Sequence, residues 1–204
     1  RVGKIVFASS GGTVYGPEAK VPTEEHEAPR PICSYGIIKV AVDNYLALAS
    51  KHSGIKTVSL RIANPYGPWQ NWNSAQGVIA VFCHHVLTEK EIPLFGDGTV
   101  ERDFVYIDDV IDAFMAGIFN HALSLCVNIG SGASKSISEV IASIEVAAGK
   151  AAHIVRLPSR GCDVPRSLLD IKQAKAVLGW SPKTTWDQGV EKIVEWQRNN
   201  PDAF

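Results

Sequence analysis

Short apolar runs rich in β-branched residues alternate along the chain with longer segments in which apolar residues recur at helical spacing. The first pattern is typical of strands buried on both faces, and the second is typical of helices packed against a sheet. Strands and helices in alternation predict an α/β protein with a mainly parallel sheet. Ligands of such sheets bind beyond the carboxyl ends of the strands, so we expect the loops after the strands to carry the chemistry.

The pattern predicts the bounds of most elements. The predicted strands are residues 4–9, 56–62, 125–130 and 153–158, with two short strands around a Gly-Asp-Gly turn within 92–107. The predicted helices are residues 34–52, 77–87, 108–121, 136–149, 171–180 and 186–200. Apolar side chains at Ile38, Val42, Tyr45, Leu46 and Ala49 mark one face of the first helix. Residues 10–33, rich in Gly, Pro and charge, are predicted to be mostly loop.

Composition excludes several classes of function. A net charge of −1 gives no electrostatic reason to bind nucleic acid or an anionic membrane. No apolar run approaches the roughly 20 residues of a membrane-spanning helix, and the first ten residues lack the pattern of a signal peptide. The four cysteines lie far apart, which indicates reduced thiols in a cytoplasmic protein. The adjacent His84 and His85 lack a carboxylate or thiolate at ligand spacing, so no metal site is predicted.

The segment SYGIIK (34–39) places a phenol and an amine four residues apart in a predicted helix. Tyr35 and Lys39 then share one face, one turn apart. An ammonium group near a phenol favours the phenolate and lowers a pKa that starts near about 10, which would make Tyr35 a general acid/base at neutral pH. Such a pair also arises by chance in an ordinary composition, so it indicates a function only together with other motifs.

Five motifs in order, SSGGTVYG (9–16), SYGIIK (34–39), LRIANPYGP (60–68), RDFVYIDDV (102–110) and LGWSPKT (178–184), resemble the extended short-chain dehydrogenase/reductase family. The resemblance covers nearly the whole chain and is strongest to the nucleotide-sugar branch of NAD-dependent epimerases and dehydratases, in particular the UDP-glucose 4-epimerases. It implies a Rossmann-type NAD domain, residues 1–66 and 104–130, and a smaller nucleotide-sugar-binding α/β domain, residues 67–103 and 131–204.

The resemblance also explains why the strand at 4–9 has no predicted neighbour before it. The family carries about a hundred residues ahead of this strand, with the Gly-rich turn and the acidic ribose partner of a dinucleotide fold. GSGASK (130–135) lacks the last glycine of that fingerprint and indicates a simple strand-to-helix turn. The expectation is a partial Rossmann sheet whose N-terminal strands are missing, with an edge strand that is mobile or covered by another chain.

On the cofactor side, the resemblance implies that Tyr35 is the catalytic acid/base and that Lys39 is its electrostatic partner and a ligand of the nicotinamide ribose. Ser9 and Ala63 would also contact NAD. The Ser or Thr hydroxyl that bridges Tyr and sugar in the family falls at Gly11 here, so Ser10 is the predicted substitute and Thr13 the alternative. Gly12 and Thr13 replace the Asp-Glu pair of related 4,6-dehydratases, which disfavours dehydration.

On the substrate side, the resemblance implies a group of contacts to a UDP-sugar. These are Asn64, a backbone contact at Val78, an aromatic contact at Phe95, diphosphate contacts at Arg102 and Arg160, and a ribose contact at Asp163. Ser167 matches a position that limits the pocket near the 2-substituent of the sugar, and a small side chain there leaves room for an N-acetyl group.

Three functions follow from the resemblance. The first is NAD-dependent 4-epimerisation of a UDP-hexose or UDP-N-acetylhexosamine, by removal of hydride at C4, a 4-keto intermediate and return of hydride. The second is a non-catalytic partial fold that keeps nucleotide-sugar binding and a dimer surface, with little turnover by the chain alone. The third is a nucleotide-sugar decarboxylase or reductase.

The resemblance also implies a homodimer. Family members form dimers through the helix with Tyr35, and the apolar residues of 36–49 are compatible with a homodimer or with burial against the sheet.

Overall fold

The computed structural model describes residues 2–74, 76–121, 124–159 and 164–204. The strands are β1 (Lys4–Ser10), β2 (Lys56–Ile62), β3 (Asn64–Tyr66), β4 (Glu91–Phe95), β5 (Glu101–Tyr106), β6 (Ser124–Ile129), β7 (Ser134–Ser136), β8 (His153–Leu157) and β9 (Arg166–Ser167). The helices are α1 (Gly11–Val14), α2 (Ser34–Ser53), α3 (Val78–Leu87), α4 (Ile107–Phe119), α5 (Ile137–Ala148), α6 (Lys172–Leu178) and α7 (Trp186–Asn199).

The elements agree with the predicted α/β pattern, and the differences are all short. The predicted loop after β1 begins with the single turn α1, and the short strands β3, β7 and β9 were not predicted. Strands of two or three residues are too short to show alternation in the sequence, and these three form by pairing with β5. The predicted capping box of Ser136 and Glu139 is present at the start of α5, and Gly149 ends that helix in the left-handed conformation.

Three parallel strands in the order β1-β2-β6 form the sheet that carries the first two motifs. A second sheet contains β3, β5 and β7 in that order, with β9 also paired to β5. The third sheet pairs β4 with β8. Although β4 and β5 flank the predicted Gly-Asp-Gly turn, each of them pairs with other strands.

Helices cover both faces of the β1-β2-β6 sheet. Asp43 of α2 accepts a hydrogen bond from Ser59, whereas the Cβ position of Gly117 in α4 lies 3.3 Å from Val58. Neighbouring residues of a strand point to opposite faces, so α2 and α4 lie on opposite sides of the sheet. The Rossmann-like α/β architecture predicted from the sequence is therefore confirmed.

The buried apolar residues form two clusters. One surrounds the β1-β2-β6 sheet, and the other lies among β4, β5, α3, α5 and α7. Tyr66, Phe104 and Tyr106, which the predicted division assigns to the first domain, pack in the second cluster. The division into a cofactor domain and a substrate domain stays a prediction.

The expectation that β1 is buried on both faces is wrong for the described chain. Residues 4–7 are only half-buried and Ala8 is exposed, because β1 is the edge strand of its sheet and pairs only with β2 among the described strands. Mobility of this edge, or its coverage by another chain, stays a prediction.

The most buried positions of the helix α2 are polar or small, and they are Gly36, Asp43 and Ser50. The predicted apolar stripe divides: Val42, Leu46 and Ala49 are half-buried, whereas Ile38 and Tyr45 are 60% and 72% exposed. Hydrophobic spacing alone cannot distinguish a face that packs inside its own chain from a face that awaits a partner. Directional hydrogen bonds to the sheet decide which side of this helix is buried.

No helix within the described residues is long and apolar enough to cross a membrane. Within the same residues, no cluster of three His, Cys, Asp or Glu side chains is placed to hold a metal ion.

Candidate functional site

The candidate site begins where β1 ends, in the Ser- and Gly-rich turn that continues into α1. Ser10 is the last residue of β1, and its side-chain oxygen accepts a hydrogen bond of 2.9 Å from the Thr13 hydroxyl. Ser10 is buried, whereas Thr13 is half-buried. The two hydroxyls proposed as alternatives for one catalytic role therefore form a hydrogen-bonded pair.

Gly11 is glycine because its surroundings leave no room for a side chain. A Cβ at this position would lie 2.9 Å from the main-chain oxygen of Arg61 and would collide with the Leu169 side chain. At the next position, a Cβ on Gly12 would lie 3.9 Å from the Asn64 amide, which is an ordinary contact distance. The Ser or Thr that the resemblance implies at position 11 would thus clash with its surroundings in this fold.

The first turn of α2 packs directly on this loop. A Cβ on Gly36 would lie 2.6 Å from the Thr13 main-chain oxygen, so only glycine permits this approach. The Cys33 sulfur accepts a hydrogen bond from the Gly36 N–H as the N-cap of the helix. Tyr35, the residue before Gly36 in this turn, is 48% exposed.

Lys39 lies between the end of β1 and the Tyr35 ring. Its Nζ donates a 2.7 Å hydrogen bond to the main-chain oxygen of Ala8. The same Nζ lies 5.2 Å from the Tyr35 ring centroid and 4.8 Å from the Phe7 ring centroid. The spacing seen in the sequence does bring the amine and the phenol ring together, while their catalytic roles stay predictions.

Asn64 reaches the same region from the end of β2. Its side-chain amide donates a 2.8 Å hydrogen bond to the main-chain oxygen of Asp103, and it faces Gly12. Ala63, a predicted cofactor contact, is buried, and its N–H bonds to Ile129. The carboxyl ends of β1 and β2 therefore meet at one edge of the sheet, as parallel strands require.

Arg102 and Ser167 lie opposite each other on the paired strands β5 and β9. The Arg102 guanidinium donates to the main-chain oxygens of Glu101 and Val164 at 2.8 and 2.6 Å. Phe95 ends β4 and Val78 begins α3, and both are half-buried. Val78 packs against the second apolar cluster. The remaining predicted contacts, Arg160 and Asp163, lie outside the described residues.

Asp103 is a residue that sequence reasoning missed. Its carboxylate is fully buried and accepts hydrogen bonds from the N–H and hydroxyl of Ser131 and from the N–H of Leu169. Burial raises the pKa of this carboxyl group, and the hydrogen bonds from Ser131 and Leu169 oppose the shift. Asp103 thus joins two loops to the strand that carries Arg102. An acid inside a predicted strand, directly before the apolar pair Phe104 and Val105, was the available signal.

A second missed feature is a buried polar network beneath the site. Asp43 of α2 pairs with Arg61 of β2, and Arg61 also donates to the Tyr15 hydroxyl at 3.0 Å. Burial raises the pKa of Tyr15 to about 12, although the neighbouring Arg61 guanidinium opposes the shift. Ser9 donates its hydroxyl to Asp43, so its side chain serves this network.

Residues 1–130 match the NAD dependent epimerase/dehydratase family. The chain belongs to that family. A dTDP-4-dehydro-6-deoxyglucose reductase from Escherichia coli is 38% identical over 192 residues, which are 94% of this chain and 60% of the relative. This match and the five motifs agree on the nucleotide-sugar branch of the epimerase/dehydratase family.

Two solved structures of the epimerase/dehydratase family are also similar to this chain. A UDP-glucose 4-epimerase from Thermotoga maritima, solved with UDP-glucose, has a TM-score of 0.94 at 37% identity. The match covers 98% of this chain and 65% of the Thermotoga chain. A UDP-glucose 4-epimerase from Thermus thermophilus in complex with NAD has a TM-score of 0.88 at 37% identity, covering 96% of this chain and 64% of its own. The chain spans 60 to 65% of the length of these proteins.

The NAD dependence of the family can be compared with the residues present. Lys39 presents its amine near the carboxyl end of β1, beside the Tyr35 ring, which suits a contact to a nicotinamide ribose. Ser9 and Ala63 suit it less, because the Ser9 hydroxyl bonds to Asp43 and the Ala63 N–H bonds to Ile129. The chain therefore fits the reacting end of NAD, while its sequence offers no Gly-rich turn for the pyrophosphate.

Proposed function

We propose that this chain forms the catalytic and nucleotide-sugar-binding part of an NAD-dependent 4-epimerase that acts on UDP-hexoses or UDP-N-acetylhexosamines. One observation supports the proposal: Lys39 bonds to Ala8 near the end of β1 and lies beside the Tyr35 ring. The Ser10–Thr13 hydroxyl pair follows in the loop after β1, and Asn64 faces Gly12 of that loop. This edge of the sheet, at the carboxyl ends of β1 and β2, is where α/β folds bind their ligands.

In this proposal Tyr35 removes the proton of the sugar 4-hydroxyl and later returns it, and Lys39 stabilises the negative charge on the phenol oxygen. The Ser10–Thr13 pair would donate a hydrogen bond to the same sugar oxygen. NAD bound at this edge would accept the hydrogen at C4 as hydride and return it to the other face of the 4-keto sugar. Arg102 suits the diphosphate, because one guanidinium group can donate two parallel hydrogen bonds to phosphate oxygens. Arg160 would share this role.

Two other kinds of function stay in competition, another reaction of the same family and non-catalytic binding. The similarity to a dTDP-sugar reductase keeps reduction open, with decarboxylation as a further possibility within the family. Failure of NAD to bind would favour a non-catalytic nucleotide-sugar-binding protein. Under either alternative the substrate contacts at Asn64 and Arg102 would be kept.

Calorimetry on the chain tests the substrate part of the proposal, with UDP, UDP-glucose, dTDP and NAD as separate ligands. We expect UDP and UDP-glucose to bind, and Arg102→Ala to weaken both by about tenfold or more, as loss of a charge-assisted contact does. Arg30→Ala is the matched control, because Arg30 is an exposed arginine paired to Glu18. Absence of any UDP or dTDP binding would contradict the proposal, and binding of nucleotide without NAD would favour the non-catalytic alternative.

Turnover can be tested by supplying the N-terminal third of the Thermotoga enzyme, fused ahead of this chain. The expected reaction is interconversion of UDP-glucose and UDP-galactose, and product analysis measures it. Tyr35→Phe should lower the rate by about 10²–10⁴-fold, the usual contribution of a general acid/base. A fusion that binds both ligands but yields only a reduced or decarboxylated sugar would replace epimerisation by one of the alternatives.

A further inference from the structure

The buried face of α2 holds a charged pair where most helices of this kind present apolar side chains. Arg61 Nε and Asp43 Oδ2 lie 3.1 Å apart, and the two side chains are 8% and 7% exposed. The Ser59 hydroxyl donates to Asp43 Oδ1, and the Ser9 hydroxyl donates to Asp43 Oδ2 at 3.1 Å. The carboxylate is thus bonded to both β1 and β2 from a single position on the helix.

This carboxylate makes directional contacts that the other buried positions of α2 cannot make. Gly36 and Ser50, the remaining fully buried residues, are small, and the half-buried Val40 adds apolar packing against the core around the sheet. Apolar packing tolerates small rotations or shifts of a helix at little energetic cost, whereas an ion pair with hydrogen bonds is satisfied in one geometry only. A buried pair adds little net stability, because desolvation offsets the attraction, so specificity of position is the effect to examine.

The predicted catalytic residues lie on the same helix at fixed distances from this contact. Lys39 precedes Asp43 by four residues, hence by one turn on the same face, and Tyr35 precedes Lys39 by another turn. Lys39 in turn bonds to Ala8 and lies against the Phe7 ring. Any rotation of α2 about its axis would move Lys39 away from the end of β1 and would shift Tyr35 with it.

We propose that Asp43 and Arg61 are positioning residues, which fix the rotation and register of α2 so that Lys39 meets the end of β1 with the Tyr35 ring beside it. The inference rests on the proposed function for its consequence, since only then do Tyr35 and Lys39 act on a substrate. Arg61 is itself held from the other side: it donates to the Tyr15 hydroxyl, which donates to Asn128 Oδ1 at 2.7 Å, and to the Glu25 main-chain oxygen. The pair is therefore anchored to the sheet and to the loop after α1.

Nuclear magnetic resonance on the chain measures the position of Lys39 directly. In the wild type, the Lys39 Hε protons should give cross-peaks to the Phe7 ring and an upfield ring-current shift, and Phe7→Leu assigns that shift. Asp43→Asn keeps the shape and removes the charge, and it should weaken the cross-peaks and reduce the shift. Asn44→Ala is the matched control, since Asn44 is the exposed neighbour of Asp43 on the same helix, and it should leave both signals unchanged.

A double variant, Asp43→Leu with Arg61→Met, separates positioning from general stabilisation. Apolar pairs of similar volume often replace a buried ion pair without loss of stability, so urea unfolding of this variant should match the wild type. Positioning predicts that the Lys39 signals remain lost in this stable protein. Recovery of the wild-type signals together with stability would overturn the proposal.

Asp43→Glu provides an independent readout if the other variants fold poorly. It keeps the charge but lengthens the side chain by one methylene group, which displaces the helix from the sheet while the pair persists. The Lys39–Phe7 cross-peaks should weaken, and unchanged cross-peaks would contradict the proposal. None of these signals depends on nucleotide binding or turnover. A result that contradicts the positioning proposal therefore leaves the proposed function unaffected, and a result that contradicts the proposed function leaves the positioning proposal unaffected.

Discussion

Gly11 packs against Leu169 so closely that no side chain fits between them. A Cβ on Gly11 would collide with the Leu169 methyl groups and lie 2.9 Å from the Arg61 carbonyl oxygen. The contact joins the loop after β1 to the segment that follows β9, and β9 carries Ser167. A family position that usually holds a hydroxyl is thereby closed to one, and the Ser10–Thr13 pair is the hydroxyl source that remains nearby.

Restoring the family hydroxyl by Gly11→Ser is expected to destabilise the fold. Overpacking of this kind costs about 1–3 kcal/mol, measured as the free energy of unfolding in urea. Gly12→Ser is the matched control, because a Cβ there lies 3.9 Å from Asn64, an ordinary contact. A Gly11→Ser protein as stable as the Gly12→Ser protein would show that Leu169 and the β1 loop can separate.

Stability should depend on pH through Glu25. Burial is the main cause that raises the pKa of this carboxyl group, while the N–H of Asn128 donates to it and opposes the shift. A folded-state pKa above the unfolded value gives a stabilising contribution that is complete below the unfolded pKa and is lost as pH rises through the folded pKa. Glu25→Gln should therefore be more stable than the wild type at pH 7.

The pH profile provides the check on Glu25. The difference in unfolding free energy between Glu25→Gln and the wild type should shrink as pH falls and vanish below about pH 4, the ordinary range of a glutamate pKa. Glu191→Gln, an exposed change on α7, should show no such trend. A constant difference across this pH range would assign the effect to packing and not to ionisation.

Ser167 is predicted to leave room for the 2-N-acetyl group of a sugar. Ser167→Tyr should lower the affinity for UDP-N-acetylglucosamine relative to UDP-glucose by about 10–200-fold, the range for steric discrimination in a pocket. Calorimetry on the chain measures the ratio of the two affinities. Ser53→Tyr, at the exposed end of α2, is the control. An unchanged ratio in the Ser167 variant would remove this residue from the sugar pocket.

A homodimer through the outer face of α2 is predicted. Ile37, Ile38, Tyr45 and Leu48 are between 51% and 72% exposed on this helix, an unusual apolar content for a solvated face. Ile38→Lys with Tyr45→Lys should convert the dimer into a monomer in sedimentation velocity, because two charges would be buried at the interface. Val146→Lys, on the 85% exposed position of α5, should leave the mass unchanged. A monomeric wild type would contradict the prediction.

The alternation of strands and helices could be predicted from the sequence, because long elements repeat their hydrophobic pattern several times. The bounds of β2 and α5 and the capping box of Ser136 agree with the sequence prediction. The buried face of α2 could not be predicted from the sequence, because its contacts depend on Ser59 and Arg61, which are distant in the chain. Asp103 was missed for the same reason: its partners Ser131 and Leu169 come from two separate loops.

The sequence by itself determined the α/β class, the family and the one-turn spacing of Tyr35 and Lys39, because these depend on local periodicity and on motifs in order. Only the tertiary structure decided which side of α2 meets the sheet, why position 11 admits no side chain, and how the charge of Asp43 is accommodated inside the protein. These features arise from contacts between residues far apart in the chain, and such contacts leave no periodic trace in the order of amino acids.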